Sequence, residues 1–155
     1  SGFVAGDTNL ISSFLRYRTY HGCAMPIPTQ LTSVALWQDE SHVLNNRDLY
    51  REKYQAVANI LAPVWPMKTP EASFYLWPKT PIPDDQFAAR AYAEQHITLL
   101  PGRYLGREAP THRADKGHST AWVNPGADHV RMALVATVAD CKEAAERLKI
   151  LLHSL

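Results

Sequence analysis

The chain has 155 residues, 46% of them apolar, which suits one domain, or a domain plus part of another, with a core of its own. Its 16 basic and 15 acidic residues nearly cancel and form no basic stripe, so nucleic acid is not expected as a partner. No apolar run is long enough to span a membrane, and the two distant cysteines, Cys23 and Cys141, indicate a reduced, cytoplasmic setting and no disulfide scaffold.

The first forty residues predict one strand and two helices. Residues 3–5 read as a short buried strand between glycines, which normally lies inside a larger sheet. The chain is therefore expected to be a fragment of a longer protein. Helical spacing of apolar residues follows over residues 9–20, with Asp7 or Thr8 as N-cap, and again over residues 29–37.

The strongest helical pattern covers residues 40–61. Its apolar stripe consists of Val43, Tyr50, Tyr54, Val57 and Leu61. The charged residues between them are expected to form a solvated face; they are Arg47, Asp48, Arg51, Glu52 and Lys53. A helix of this length spans about 30 Å, which suits a connection between two lobes.

The remainder of the chain predicts a small sheet covered by helices. Strands are expected at residues 73–77, 97–100 and 130–136, with a long loop over residues 103–126. One helix follows Asp84 and Asp85 as caps, and another begins with Asp140 and Glu143 in a capping box. The order β-α-β-loop-β-α places the chain in the α+β class.

The third strand contains one arginine. Strict alternation places two sets of residues on opposite faces: Val130, Met132, Leu134 and Ala136 on one, and Arg131, Ala133 and Val135 on the other. The pattern allows two interpretations of this arginine. Arg131 either extends to solvent from an edge strand, or is held rigidly so that its guanidinium binds a carboxylate with two hydrogen bonds.

No complete catalytic set accompanies this arginine. The seven histidines show neither the spacing of a helical metal pair nor a cysteine at ligand distance, so a metal site is not predicted. No serine lies in a glycine elbow. Cys23 lies two residues from His21, a spacing at which a nucleophile and its base seldom meet.

Six segments, in this order, resemble the carboxy-terminal part of class I/II pyridoxal-phosphate aminotransferases of fold type I. They are residues 1–7 (SGFVAGD), 17–25 (YRTYHGCAM), 46–53 (NRDLYREK), 73–77 (SFYLW), 99–102 (LLPG) and 129–135 (HVRMALV). The second segment is further similar to the bacterial succinyldiaminopimelate aminotransferases. Ser73 departs from the family pattern, which usually has glycine at this position.

The resemblance implies a division of the chain and roles for three residues. Residues 1–39 would be a remnant of the large cofactor-binding domain, residues 40–62 the interdomain helix, and residues 63–155 the small domain. Arg131 would bind the α-carboxylate of the substrate. Tyr20 and His21 would line the active site of the partner subunit in a homodimer formed through the large domain.

The resemblance also implies the activity of the parent protein. That enzyme would transfer an amino group between N-succinyl-diaminopimelate, or a similar amino acid, and 2-oxoglutarate in lysine biosynthesis. Its cofactor would be pyridoxal 5'-phosphate, an electron sink. The Schiff-base lysine of the family lies upstream of Ser1, so this chain alone is expected to be inactive. The alternative is a stand-alone α+β module that binds a small acidic ligand or a regulatory partner.

Overall fold

The computed structural model describes residues 1–22, 24–110 and 122–155. The chain divides into two compact units, Ser1–Asn46 and Arg47–Leu155, and the boundary falls within a long helix. Five helices and five short strands form in the described residues. This mixture confirms the predicted α+β class.

The first unit is helical. Helix α1 spans Thr8–Tyr20, and the carboxylate of its N-cap Asp7 accepts hydrogen bonds from the backbone N–H groups of Asn9 and Leu10 at 2.9 and 3.1 Å. Helix α2 spans Ile27–Gln38 and begins with a proline in its first turn. The sequence therefore located both helices and the cap of the first.

The strand predicted at residues 3–5 does not form. Residues 1–7 have no regular structure, Phe3 is 80% exposed, and its ring lies 6.0 Å from that of Trp37. A strand exists only where a neighbouring strand accepts and donates its backbone hydrogen bonds. The described residues of the first unit contain no such neighbour.

Helix α3 spans Ser41–Leu61, as its apolar pattern predicted. Its buried residues all lie in the second half and belong to the second unit; they are Lys53, Tyr54, Ala56, Val57 and Leu61. The prediction of a solvated face is thus wrong for Lys53, which is 3% exposed.

The second unit contains a three-stranded antiparallel sheet. Strands β1 (Tyr75–Leu76), β2 (Leu100–Pro101) and β5 (Val130–Ala133) pair in the order β1-β5-β2. Helices α4 (Asp84–Gln95) and α5 (Val138–His153) contribute to the same apolar core as the sheet and the end of α3. The centre of that core is fully buried and includes Val57, Leu61, Phe87, Val130 and Leu151.

The segment predicted as a long loop contains regular structure. A 3-10 helix covers Gly102–Tyr104, and strands β3 (Ala109–Pro110) and β4 (Trp122–Val123) pair antiparallel. These strands have only two residues each, too few for alternation to reveal them. Residues 111–121 lie outside the described residues.

Both predicted caps of the second unit need correction. Helix α5 begins one turn earlier than expected: Thr137 is its N-cap and Asp140 its third residue, and together they form the capping box. In α4 the N-cap is Pro83, which makes no side-chain cap. Asp84 follows it in the first turn, and its carboxylate accepts hydrogen bonds from Arg103 instead of capping the helix.

Candidate carboxylate-binding site

Arg131 lies on the central strand of the sheet. It pairs with Leu100 of β2, while Ala133, two residues later, pairs with Tyr75 of β1. Val130, Met132 and Leu134 are buried as predicted, and Arg131 lies on the opposite face. The strand ends at Ala133, before the predicted end, and Ala136, predicted on the buried face, is exposed. The edge-strand interpretation of Arg131 is therefore wrong, because β1 and β2 occupy the edges.

The guanidinium of Arg131 has an aromatic neighbour but no carboxylate neighbour in the described part of the chain. Its central carbon lies 5.9 Å from the ring centre of Tyr75, at the outer limit of a cation–π contact. Among the described residues no side chain forms an ion pair or hydrogen bond with it. Because Arg131 is partly buried and unpaired within the described residues, its guanidinium can bind a carboxylate from outside the chain.

Backbone hydrogen bonds hold both ends of β5 in place. Before the strand, Gly102 donates to the carbonyl of His129 at 2.7 Å, and Val130 donates to that of Pro78 at 3.2 Å. After it, Leu134 donates to the carbonyl of Phe74 at 2.9 Å. Arg131 is thus mounted on a short strand that both neighbours support.

The turn that leads into β5 is held by a buried carboxylate. Asp84 is fully buried and accepts hydrogen bonds from the backbone N–H of Arg103 at 2.9 Å, its Nε at 2.8 Å, and the backbone N–H of Asp128 at 3.2 Å. Burial alone would raise the pKa of Asp84, but these bonds outweigh it and hold the pKa below its usual range. The carboxylate is therefore ionised and serves structure.

Two glycines allow the same turn to pack closely. A Cβ on Gly102 would overlap the carbonyl oxygen of Gly126, and a Cβ on Gly126 would overlap that of Gly102. The two backbones thus approach to a distance that no other residue type permits. The sequence showed both positions as Pro-Gly turns, but not that the turns contact each other.

The structure shows one functional candidate that sequence reasoning missed. The ammonium of Lys53 donates to the carbonyls of Leu134 and Val135 at 3.0 and 3.4 Å and lies 4.8 Å from the ring centre of Tyr50. These carbonyls directly follow β5. The sequence position of Lys53 could have indicated its burial, since Lys53 lies between Tyr50 and Tyr54 on the apolar stripe of α3.

Tyr20 and His21 lie at the end of α1 in the first unit, whereas Arg131 belongs to the second. Tyr20 is 82% exposed, and the His21 ring stacks on that of Tyr17 at 4.7 Å. Cys23, which lies two residues from His21 in the sequence, is outside the described residues. Nothing in the geometry of the first unit assigns a role to Tyr20 or His21.

Cys141, the cysteine within the described residues, is a buried thiol. It is 5% exposed and lines a cavity of about 100 Å³ between β5 and α5. Burial raises the pKa of the Cys141 thiol, so the thiol is protonated at neutral pH and unsuited to nucleophilic attack.

Two other kinds of site lack support in the described ranges. Their histidine, cysteine and carboxylate side chains form no cluster of three that could hold a metal ion. None of their helices combines the length and apolar character needed to cross a membrane.

Comparisons with known proteins agree with the resemblance seen in the sequence. A probable aminotransferase of Mycobacterium tuberculosis is 29% identical over 149 residues, which cover 96% of this chain and 31% of the relative. The crystal structure of an aminotransferase from Neisseria meningitidis is 49% identical over 97% of this chain and 36% of that chain, with a TM-score of 0.76. The chain is related to the aminotransferases.

A further solved structure has a more specific name. A probable N-succinyldiaminopimelate aminotransferase from Thermus thermophilus is 28% identical over 78% of this chain and 28% of that chain, with a TM-score of 0.58. The chain spans about a third of the length of the aminotransferases it matches. No protein-family model matches it.

Dependence on pyridoxal phosphate is a property of the aminotransferases that this chain resembles. That cofactor requires a lysine whose amine is available for a Schiff base, and Lys53 does not meet this requirement. Lys53 is buried and its ammonium is occupied by two carbonyls and an aromatic ring.

Proposed function

We propose that the chain is the carboxy-terminal part of a pyridoxal-phosphate-dependent aminotransferase and that Arg131 binds the α-carboxylate of its substrate. One observation carries the assignment of Arg131: a half-buried guanidinium without a carboxylate partner in the described residues, on the central strand of the sheet. A paired guanidinium and carboxylate fix both the position and the orientation of a substrate.

The proposed reaction moves an amino group between N-succinyl-diaminopimelate, or a similar amino acid, and 2-oxoglutarate. Support comes from the similarity to a probable N-succinyldiaminopimelate aminotransferase and from the segment at residues 17–25. Both substrates carry an α-carboxylate next to the carbon that gains or loses the amino group. A single arginine can therefore serve both halves of the reaction. The proposed setting is lysine biosynthesis in the cytoplasm.

We assign the parts of the chain as the resemblance implies. Residues 1–39 belong to the large domain, residues 40–62 to the interdomain helix and residues 63–155 to the small domain. In the proposed homodimer, Tyr20 and His21 line the active site of the partner subunit. The absence of any buried side chain on α1 and α2 supports the assignment of residues 1–39 to a larger domain, because such helices need a further surface to cover them.

The 155-residue chain alone is proposed to be inactive. The lysine that binds the cofactor is expected in the part of the aminotransferase not represented here. The occupied ammonium of Lys53 argues against that one lysine in this role. The contribution of this chain to the full-length enzyme is then binding and orientation of the substrate.

The test of the proposed role is Arg131→Ala in the full-length enzyme. We expect kcat/KM to fall roughly 10- to 100-fold or more, because a charged hydrogen-bonded pair is lost from the transition state. Arg131→Lys should recover only part of the loss, since an ammonium cannot form the two parallel bonds of the guanidinium. Steady-state kinetics with the amino donor and with 2-oxoglutarate measures kcat/KM for both variants.

Arg51→Ala is the matched control. Arg51 lies on α3, is 72% exposed at its side chain and forms a surface ion pair with Asp48. Its loss should leave kcat/KM unchanged. If full-length enzyme carrying Arg131→Ala kept the kcat/KM of the wild type, the assignment of Arg131 would be wrong.

A further inference from the structure

We infer that Lys53 is a positioning residue for Arg131: its ammonium fixes the end of β5 and thereby sets where the guanidinium meets the substrate. The inference rests on the proposed function, because it gives Arg131 a carboxylate to bind. It adds a residue that neither the sequence pattern nor the relatives assign.

The environment of Lys53 is unusual for a lysine. Its side chain is 3% exposed, and no carboxylate in the described residues pairs with its ammonium. A buried charge is tolerated only where polar groups replace its hydration. Two carbonyl oxygens and the face of Tyr50 fulfil that role.

The two carbonyls occupy the connection between β5 and α5. Leu134 and Val135 follow the strand directly, and the N-cap Thr137 comes two residues later. Leu134 also donates its N–H to the carbonyl of Phe74 at 2.9 Å. Both backbone groups of Leu134 are thus bonded, one to the residue before β1 and one to α3 through Lys53.

Leu134 lies three residues after Arg131, directly after the last residue of β5. Extended backbone transmits a displacement along its length, because its pleat fixes the rise at about 3.3 Å per residue. Without the ammonium, two buried or half-buried carbonyls lose their donor and the strand end shifts toward other partners. A displacement of about 1 Å is enough to weaken the alignment of a bound substrate substantially.

A double-mutant cycle in the full-length enzyme tests the inference. Lys53→Met removes the charge and keeps an unbranched side chain of similar length. With Arg131 present, we expect Lys53→Met to lower kcat/KM about tenfold. In the Arg131→Met background, the same substitution should lower it less than about twofold, because the residue through which Lys53 acts is gone.

The outcomes separate this inference from the proposed function. If Arg131→Met alone leaves kcat/KM unchanged, the proposed function fails. If Arg131→Met lowers kcat/KM, two results for Lys53→Met overturn only the positioning role. One is an equal loss of kcat/KM with and without Arg131, which a purely structural lysine would give. The other is no loss in either background.

Two further variants keep the test decisive. Lys142→Met, an exposed lysine at the start of α5, should leave kcat/KM and the melting temperature unchanged. If Lys53→Met does not fold, Lys53→Gln replaces it, since its amide still donates to one carbonyl. A loss for Lys53→Gln that depends on Arg131 supports the inference, and a loss independent of Arg131 overturns it.

Discussion

The carboxylate of Asp84 joins three stretches of chain that are far apart in sequence. It connects the first turn of α4 with Arg103 after β2 and with Asp128 before β5. The side chain is fully buried, while that of Arg103 is 35% exposed. Removing one partner of such a pair leaves the other without compensation for its lost hydration.

We predict that Asp84→Asn lowers the free energy of unfolding by about 2–4 kcal/mol at pH 7, allowing for the partial exposure of Arg103. Urea unfolding followed by tryptophan fluorescence measures it. Asp85→Asn is the control: this carboxylate is 37% exposed and pairs with the same arginine, so its loss should be below about 1 kcal/mol. Equal losses for the two variants would contradict the assigned role of Asp84.

The same residue predicts a pH dependence. Because the folded protein holds the pKa of Asp84 below its usual range, the stabilisation is fully present above the ordinary carboxyl pKa of about 3.9. It is lost as the pH falls through the lowered value. The difference in unfolding free energy between wild type and Asp84→Asn should therefore narrow in acid. A constant difference from pH 7 to pH 3 would show that Asp84 does not titrate as described.

Single residues differ in how far the sequence revealed them. Arg131 was placed on the correct face because alternation needs only the strand itself. Lys53 was misplaced because charge suggested solvent, whereas its partners are carbonyls of residues 81 and 82 positions away. The spacing of Lys53 marks the face of α3 on which it lies, but it does not reveal partners so far away in the sequence.

Helix α5 depends on a reciprocal cap at its start. The hydroxyl of Thr137 accepts from the backbone N–H of Asp140 at 3.2 Å and donates to its carboxylate at 2.6 Å. We predict that Thr137→Ala lowers the free energy of unfolding by about 1 kcal/mol, and that Thr137→Ser restores most of it. Chemical denaturation measures both. Equal stability of the alanine and serine variants would exclude the hydroxyl as the cap.

Helices were predicted better than strands for a physical reason. The hydrogen bonds of α1, α2, α3, α4 and α5 are local, so a repeating apolar pattern locates them within a few residues. A strand needs partners elsewhere in the chain. Residues 3–5 look like a strand but have no partner in the described residues, and β3 and β4 pair although neither looks like a strand.

The first unit exposes an apolar surface that a stable protein normally covers. Neither α1 nor α2 buries a side chain. Eight large apolar residues of these helices are between 54% and 72% exposed: Leu10, Leu15, Tyr17, Ile27, Leu31, Val34, Leu36 and Trp37. Patches of this kind mark surfaces that bind other protein segments.

We predict that the 155-residue chain, expressed alone, binds the dye anilinonaphthalene sulfonate strongly. A shorter chain that begins at Ser41 retains α3 and lacks α1 and α2. Its dye fluorescence per molecule should be about one third of that of the 155-residue chain, or lower. Fluorescence titration measures the difference. Equal fluorescence would show that the apolar faces of α1 and α2 are not available to the dye.

The central position of β5 has a consequence for synthesis. Ribosomes produce β1 and β2 first, and within the described residues both pair with β5 alone. Until β5 leaves the ribosome, both strands carry unpaired backbone groups, although α3, α4 and the β3–β4 pair can already form. Arg131 itself lies on the strand that completes the sheet, so the surface proposed to bind substrate takes shape only after that strand has been made.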